Sequence, residues 1–254
     1  MTERLVALLD PQPGETVLEL AAGLGDTGFL AAQRLGAQGR LLSTDLAPEM
    51  VAAARRRAAE LGLENVEFRL VDASGIELPD GAVDAVVCRF GVMLVPDPAQ
   101  ALCEIARVLR PGGRAAIGVW AGAEHNDWMT AAGRSALELG LSERPQPNEP
   151  GPFRLADPME LRQLVEAAGL RVVTLENVPV HWRAGSVDEW WEVVLDMSRM
   201  LTTLVERLTP DQVGALRKGA ERRLAPHVAP DGSLDVPGLA WALLAERPDG
   251  LSGS

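Results

Sequence analysis

The chain contains no tyrosine. No phenolic base and no tyrosine cage for a cation can be built from it. Cysteine is nearly as scarce, with Cys88 and Cys103 the only two, and their spacing fits neither a metal knot nor a redox pair. Cys88 falls in an apolar strand pattern and Cys103 in an amphipathic helix, so both are expected to be buried small hydrophobes. No apolar run reaches the roughly 18 residues of a membrane span. The opening Met1-Thr-Glu-Arg-Leu5 lacks the basic-then-apolar pattern of a signal peptide, and a cytoplasmic protein is expected. Positive charge is short as well: 24 Lys and Arg stand against 36 Asp and Glu, a net charge of −12. Nucleic-acid binding relies on Lys and Arg neutralising phosphates, so DNA and RNA are poor partners. The one dense basic run, Arg55-Arg56-Arg57, reads as a solvated helix face.

What is present is a core-forming composition, 47% hydrophobic over 254 residues. Strand and helix patterns alternate along most of it, as in a parallel sheet with helices on both faces. Strands are expected at 16–20, 40–44, 66–71, 82–88, 114–120 and 171–176, the last with room to extend towards Trp182. Pro48, Asp97-Pro98 and Asp157-Pro158 open helices, with capping residues or an N1 proline. Residues 127–139 suggest a short helix and the proline-rich stretch after it a loop. Two capping signatures, at Ser186 and Thr209, open helices over 187–208 and 210–225. A last strand is expected at 239–245.

The stretch Val17-Leu-Glu-Leu-Ala-Ala-Gly-Leu-Gly-Asp-Thr-Gly28 carries the chemistry. An apolar strand breaks into a turn with Gly23 and Gly25, where a ligand can approach the backbone closely, and a helix follows whose first amides favour polar ligand groups. These glycines alone also fit a nicotinamide or flavin fingerprint. The acids argue otherwise. Glu19, four residues before the first glycine, would repel a pyrophosphate and attract an amino group. Asp45 lies 20 residues after Gly25, the distance at which an acid grips ribose hydroxyls in a doubly wound fold; its alternative use is to cap the next helix. Asp72, at the third strand end, offers an acceptor to an adenine amino group. A cationic, adenine-bearing nucleoside without phosphates fits this set.

With these residues the sequence resembles the class I S-adenosylmethionine-dependent methyltransferases, and within them the ubiquinone/menaquinone-biosynthesis-like branch. Glu19–Gly25 is similar to the family's first motif, Thr44-Asp45-Leu46 to its ribose-binding acid and Val71-Asp72-Ala73 to its adenine motif. Val83–Met93 and Leu109–Gly113 are similar to the fourth-strand motif and the turn before strand five. The resemblance implies a Rossmann-like, doubly wound, seven-stranded, mostly parallel sheet with an antiparallel last strand. A helical cap would be inserted between strands six and seven. One methyltransferase domain would span 1–254, with 1–182 and 233–254 as the core and 183–232 as the cap. The implied cofactor is S-adenosylmethionine, with S-adenosylhomocysteine as product.

Residue by residue, the resemblance puts Glu19 towards the methionine amino group, directly or through water. It places Ala21, Gly23 and Gly25 along the methionine portion and Asp45 at the ribose. Leu46, Met50, Asp72 and Ala73 would lie around the adenine, with plain packing as the alternative for Leu46, Met50 and Ala73. The Arg89 carbonyl would lie near the sulfonium, and Phe90 on the methyl path. Phe90, Met93, Trp120 and Trp128 are candidate walls for the acceptor. His125, just past strand five, is the candidate general base for a hydroxyl or amine acceptor, with an exposed loop histidine as the plain alternative. Asn126 and Asp127 lack supporting ligands at a metal spacing, so no metal is expected.

The acceptor is expected to be a small apolar or aromatic metabolite methylated on O, C or N, with no nucleic acid and no membrane span involved. Members of the branch often carry a longer N-terminal helical lid; here about 15 residues precede the first strand. A homodimer partner could supply that closure. A nicotinamide-dependent enzyme and a cofactor-binding protein without catalysis are the competing readings.

Overall fold

The computed structural model describes residues 1–143 and 149–249. Pro145 and Pro147 of the expected loop, and the end of the expected 233–254 core segment, lie outside the described residues. Seven strands form one sheet: β1 (Thr16–Leu20), β2 (Arg40–Asp45), β3 (Val66–Leu70), β4 (Val83–Arg89), β5 (Leu109–Trp120), β6 (Arg171–Ala184) and β7 (Leu234–Glu246). Their order is β3-β2-β1-β4-β5-β7-β6. Pairing is parallel from β3 through β5 and antiparallel between β5 and β7. The order reverses at β1, where one half of the sheet winds towards β2 and the other towards β4. In such sheets the crevice at that switch, outside the carboxyl ends of the strands, is where ligands bind.

The central strands β1, β2 and β4 are buried on both faces, and alternate residues serve opposite cores. Val17, Leu41, Ala85 and Val87 pack with Leu5 and Leu9 of α1 (Thr2–Leu9), Phe29, Ala32 and Leu35 of α2 (Asp26–Leu35), and Ala54 and Ala58 of α3 (Pro48–Glu60). Leu18, Leu42, Val86 and Cys88 pack with Leu102 and Ile105 of α4 (Pro98–Val108). Asp97 caps α4, accepting from the Gln100 amide at 3.0 Å. Burial pushes the Cys88 thiol up to about 11. Cys103, expected to be buried, is exposed on α4, because the apolar stripe of that helix runs through Ala101, Leu102 and Ile105 instead.

β5 begins at Leu109 rather than at Arg114. The expected turn Arg110-Pro-Gly-Gly113 is an irregularity inside the strand, where the register jumps from Val83 opposite Leu109 to Ala85 opposite Arg114.

Contacts divide the chain into two compact units. The first takes Met1–Ala121, Glu149–Val178 and Ala240–Ser254, and the second Gly122–Asn148 and Pro179–Leu239. The second therefore exceeds the 183–232 cap expected from sequence. It contains α5 (Asp127–Glu138), α7 (Val187–Met197), α8 (Arg199–Val205) and α9 (Pro210–Leu224), while α6 (Pro158–Ala167) belongs to the first. Its internal ties are long-range. Asn126 donates to Leu239 O at 3.0 Å and accepts from Leu239 N at 3.1 Å. Trp128 stacks on Trp182 with centroids 5.7 Å apart, and its carbonyl accepts from Trp190 Nε1 at 2.8 Å. Ser135 donates to Leu216 O at 3.1 Å. The single helix expected over 187–208 is two, because Ser198 is extended and its hydroxyl caps α8 at the Leu201 amide. Among the described residues no helix is long and apolar enough to cross a membrane.

Candidate cofactor site

The turn after β1 is held from beneath by a buried acid. Glu19, only 3% exposed, accepts from the Gly28 amide at 2.6 Å and from the Ser43 hydroxyl at 3.2 Å. Burial raises its carboxyl to about 7, against the opposing pull of the Gly28 amide, the Ser43 hydroxyl and the Arg89 charge. Of the two routes expected for Glu19, direct or through water, the direct one has almost no open face. Its carboxylate is committed to the protein and sets the charge under the turn. Sequence reasoning missed Ser43 and the role of Gly28. Gly28 lies inside the opening motif, but only the fold brings its amide to Glu19.

Above that acid the backbone is unusual. Ala21, Gly23 and Gly25 all have positive φ, at 51°, 56° and 83°. A Cβ on Gly23 would meet no atom within 4 Å, so the space over it is open. Asp45, at the end of β2, closes the turn from the side: one oxygen accepts from Gly23 N and the other from Ala47 N, both at 2.9 Å. It does not cap α3, whose N-cap is Ala47. Each carboxylate oxygen retains acceptor capacity beyond its one amide. Leu46 and Met50 are 70% and 41% exposed, so they form an apolar rim next to Asp45 rather than core. Asp72 is exposed and accepts from Ser74 N at 2.8 Å, while Ala73 is half-buried.

The turn after β4 presses against the turn after β1. A Cβ on Gly91 would collide with the Ala21 Cβ and lie 2.8 Å from Cys88 Sγ, so only glycine fits there. Phe90 is held at φ 61°, a strained conformation for a bulky residue. Its ring stacks on Trp120 with centroids 3.9 Å apart and planes 7° from parallel. Both rings are partly exposed and cover one edge of the core.

Two expected residues are placed differently, and His125 stands just past β5 as expected. Met93 is 2% exposed and belongs to the core around Leu102; it is no acceptor wall, because the short helical turn after Gly91 rolls it inward. Trp128 is 4% exposed, its ring stacked on Trp182 and its carbonyl bonded by Trp190 in the second unit. His125 also belongs to the second unit, half-exposed, with Nε2 3.5 Å from Glu124 Oε1. Among the described residues no group of three or more His, Cys, Asp or Glu is arranged to hold a metal.

The site fits S-adenosylmethionine on three structural grounds. The space over Gly23 is open. The Thr27 hydroxyl in the first turn of α2 is buried without a hydrogen-bond partner. The carboxylates of Asp45 and Asp72 are acceptors, which suits a ligand with hydroxyls and amino groups to donate.

The chain is similar to known proteins of this chemistry. A family profile described as a methyltransferase domain matches residues 17–113. An arsenite methyltransferase of Halobacterium salinarum is 44% identical over 105 residues, 41% of this chain and 27% of that protein. A demethylmenaquinone methyltransferase of Thermus thermophilus is 42% identical over 115 residues, 45% of this chain and 51% of that protein. The chain thus spans about a quarter to a half of the length of these curated relatives. Among solved structures, an S-adenosylmethionine-dependent methyltransferase from Aquifex aeolicus is 26% identical, covers 68% of this chain and 81% of its own, and superposes with a TM-score of 0.53. Residues 17–113 thus match a methyltransferase domain, and the sheet that carries them is similar to that of an S-adenosylmethionine-dependent methyltransferase.

Proposed function

We propose that this protein transfers a methyl group from S-adenosylmethionine to a small apolar or aromatic metabolite by in-line displacement. The observation that carries the reading is Asp45, which braces Gly23 and Ala47 while keeping acceptor capacity beside the open turn. When bound, S-adenosylmethionine supplies an electrophilic methyl on a positively charged sulfur. The chain supplies binding and orientation. Asp45 accepts from the ribose hydroxyls, and Asp72 with Ala73 meets the adenine edge. Leu46 and Met50 exclude water from the adenine face. Gly23 and Gly25 let the methionine portion lie against backbone, with the Glu19 charge below it. The Arg89 carbonyl lies at the sulfonium end. The stacked Phe90 and Trp120 rings offer an apolar, planar wall for the acceptor. A hydroxyl or protonated amine acceptor needs a general base; an acceptor already ionised needs none.

Calorimetric titration with S-adenosylhomocysteine and with NAD tests the cofactor reading. The former is expected to bind and the latter not. Asp45→Ala removes a charged acceptor worth about 1.5–3 kcal/mol, so S-adenosylhomocysteine affinity should fall roughly 10- to 100-fold. Unchanged affinity would remove Asp45 from the site.

The relatives named for arsenite and demethylmenaquinone methylation differ in the acceptor their names give, so the acceptor rests on the aromatic wall. A panel of phenols, quinols and hydrophilic amines, assayed with labelled donor, is expected to give turnover with the ring compounds. Turnover confined to the amines would overturn that part.

A further inference from the structure

The methyl donor carries a carboxylate beside its ammonium, yet the strand-end side chains assigned to it, Glu19, Asp45 and Asp72, are all acids. Two cations flank the glycine turn: Arg57, which donates to Leu24 O at 3.1 Å, and Arg89, which ends β4. The Arg89 side chain is 30% exposed, with Nη2 3.1 Å from Asp26 Oδ2, and its guanidinium carbon lies 5.8 Å from the centre of the Phe90 ring. Asp26 opens α2 directly after Gly25, and its other oxygen is held by Arg57. Two guanidiniums therefore share one carboxylate, in a chain with 36 acidic and 24 basic residues. The bond to Asp26 uses one of the five N–H groups of Arg89, so a further anion can be met without breaking it. Next to Asp26 in the same helix turn, the Thr27 hydroxyl is buried and without a hydrogen-bond partner.

We infer that the Arg89 side chain binds the methionine carboxylate of the methyl donor, with Asp26 as the positioning residue that holds the guanidinium beside the glycine turn. A guanidinium presents its donors as a planar fork that matches a carboxylate, and lysine cannot reproduce that match. The identity of the ligand rests on the function proposed above; the role of Arg89 goes beyond the backbone carbonyl assigned to it there.

The test compares S-adenosylhomocysteine with its decarboxylated analogue by calorimetry. The wild-type protein is expected to prefer the carboxylate-bearing ligand roughly tenfold or more. Arg89→Met should abolish that preference while leaving affinity for the decarboxylated analogue within about twofold. A purely structural role would weaken both ligands together, and that result, or a preference that survives in Arg89→Met, overturns the inference. If Arg89→Met fails to fold, Arg89→Lys is read in its place: a reduced preference supports the inference and an unreduced one overturns it. Wild-type protein that binds neither ligand would instead refute the proposed function itself.

Discussion

Gly28→Ala is expected to destabilise the protein by more than about 3 kcal/mol, or to prevent folding, although alanine is the better helix former. The added Cβ would fall inside the Glu19 carboxylate, 2.6 Å from its Cδ and 2.9 Å from Leu41 Cδ2. Neither neighbour can yield. Glu19 is buried and bonded to the Gly28 amide and Ser43, and Leu41 is fully buried in the core beneath α2. The change therefore evicts a buried acid and leaves amide and hydroxyl donors unmet, each costing about 1–3 kcal/mol. Gly133→Ala in α5 is the control. It has no atom within 4 Å of the new methyl, and it should stabilise by up to about 1 kcal/mol. Thermal melts of both variants check the pair. Equal effects at the two sites would mean that the Glu19 contact does not constrain the turn.

The second large effect is a pH dependence carried by Glu19. Its folded carboxyl titrates at about 7, raised from 4.5 by burial. Below pH 4.5 both the folded and unfolded chains hold this proton. Between that pH and about 7 the unfolded chain releases it while the folded chain keeps it, so stability falls as pH rises through this window. Above it both states are ionised and the full loss is in place, on the order of 3 kcal/mol at about 1.4 kcal/mol per pKa unit. Glu19→Gln keeps the shape, an oxygen for the Gly28 amide and a donor for Ser43, but removes the titration. Urea denaturation of the two proteins should agree near pH 4.5 and diverge upward to pH 8, with the variant the more stable. The difference between the curves isolates Glu19 from Glu15, Asp84 and Glu104. Those carboxyls are held below their usual range by Arg114, Arg110 and Arg107, against burial, and lose their contribution as pH falls. Parallel curves would refute the assignment.

The core of the site was legible because its signals are local. Asp45 and Asp72 stand at strand ends, Gly23 and Gly25 stand in one turn, and a strand end reads directly from an apolar run that stops. Less legible was everything that depends on which face of a short segment turns inward. Met93 and Trp128 look in sequence like acceptor walls, but the turn after Gly91 rolls Met93 into the core and Trp182 covers Trp128. Leu46 and Met50, expected around the adenine with plain packing as the alternative, lie open beside Asp45. Arg89 was singled out for its carbonyl; its side chain acquires meaning only once α2 brings Asp26 against it.

The sequence by itself determined the alternation of strands and helices, the glycine turn and the three strand-end acids. Each of these depends on neighbours a few residues apart. Only the tertiary structure decided how Glu19 is used. Ser43 lies 24 residues away and Gly28 nine, and their convergence on one buried carboxylate follows from β1 pairing with β2 while α2 packs on the face they share. Tertiary structure likewise decided the extent of the second unit. Asn126 and Leu239 are 113 residues apart, and no period in the chain records that they bond.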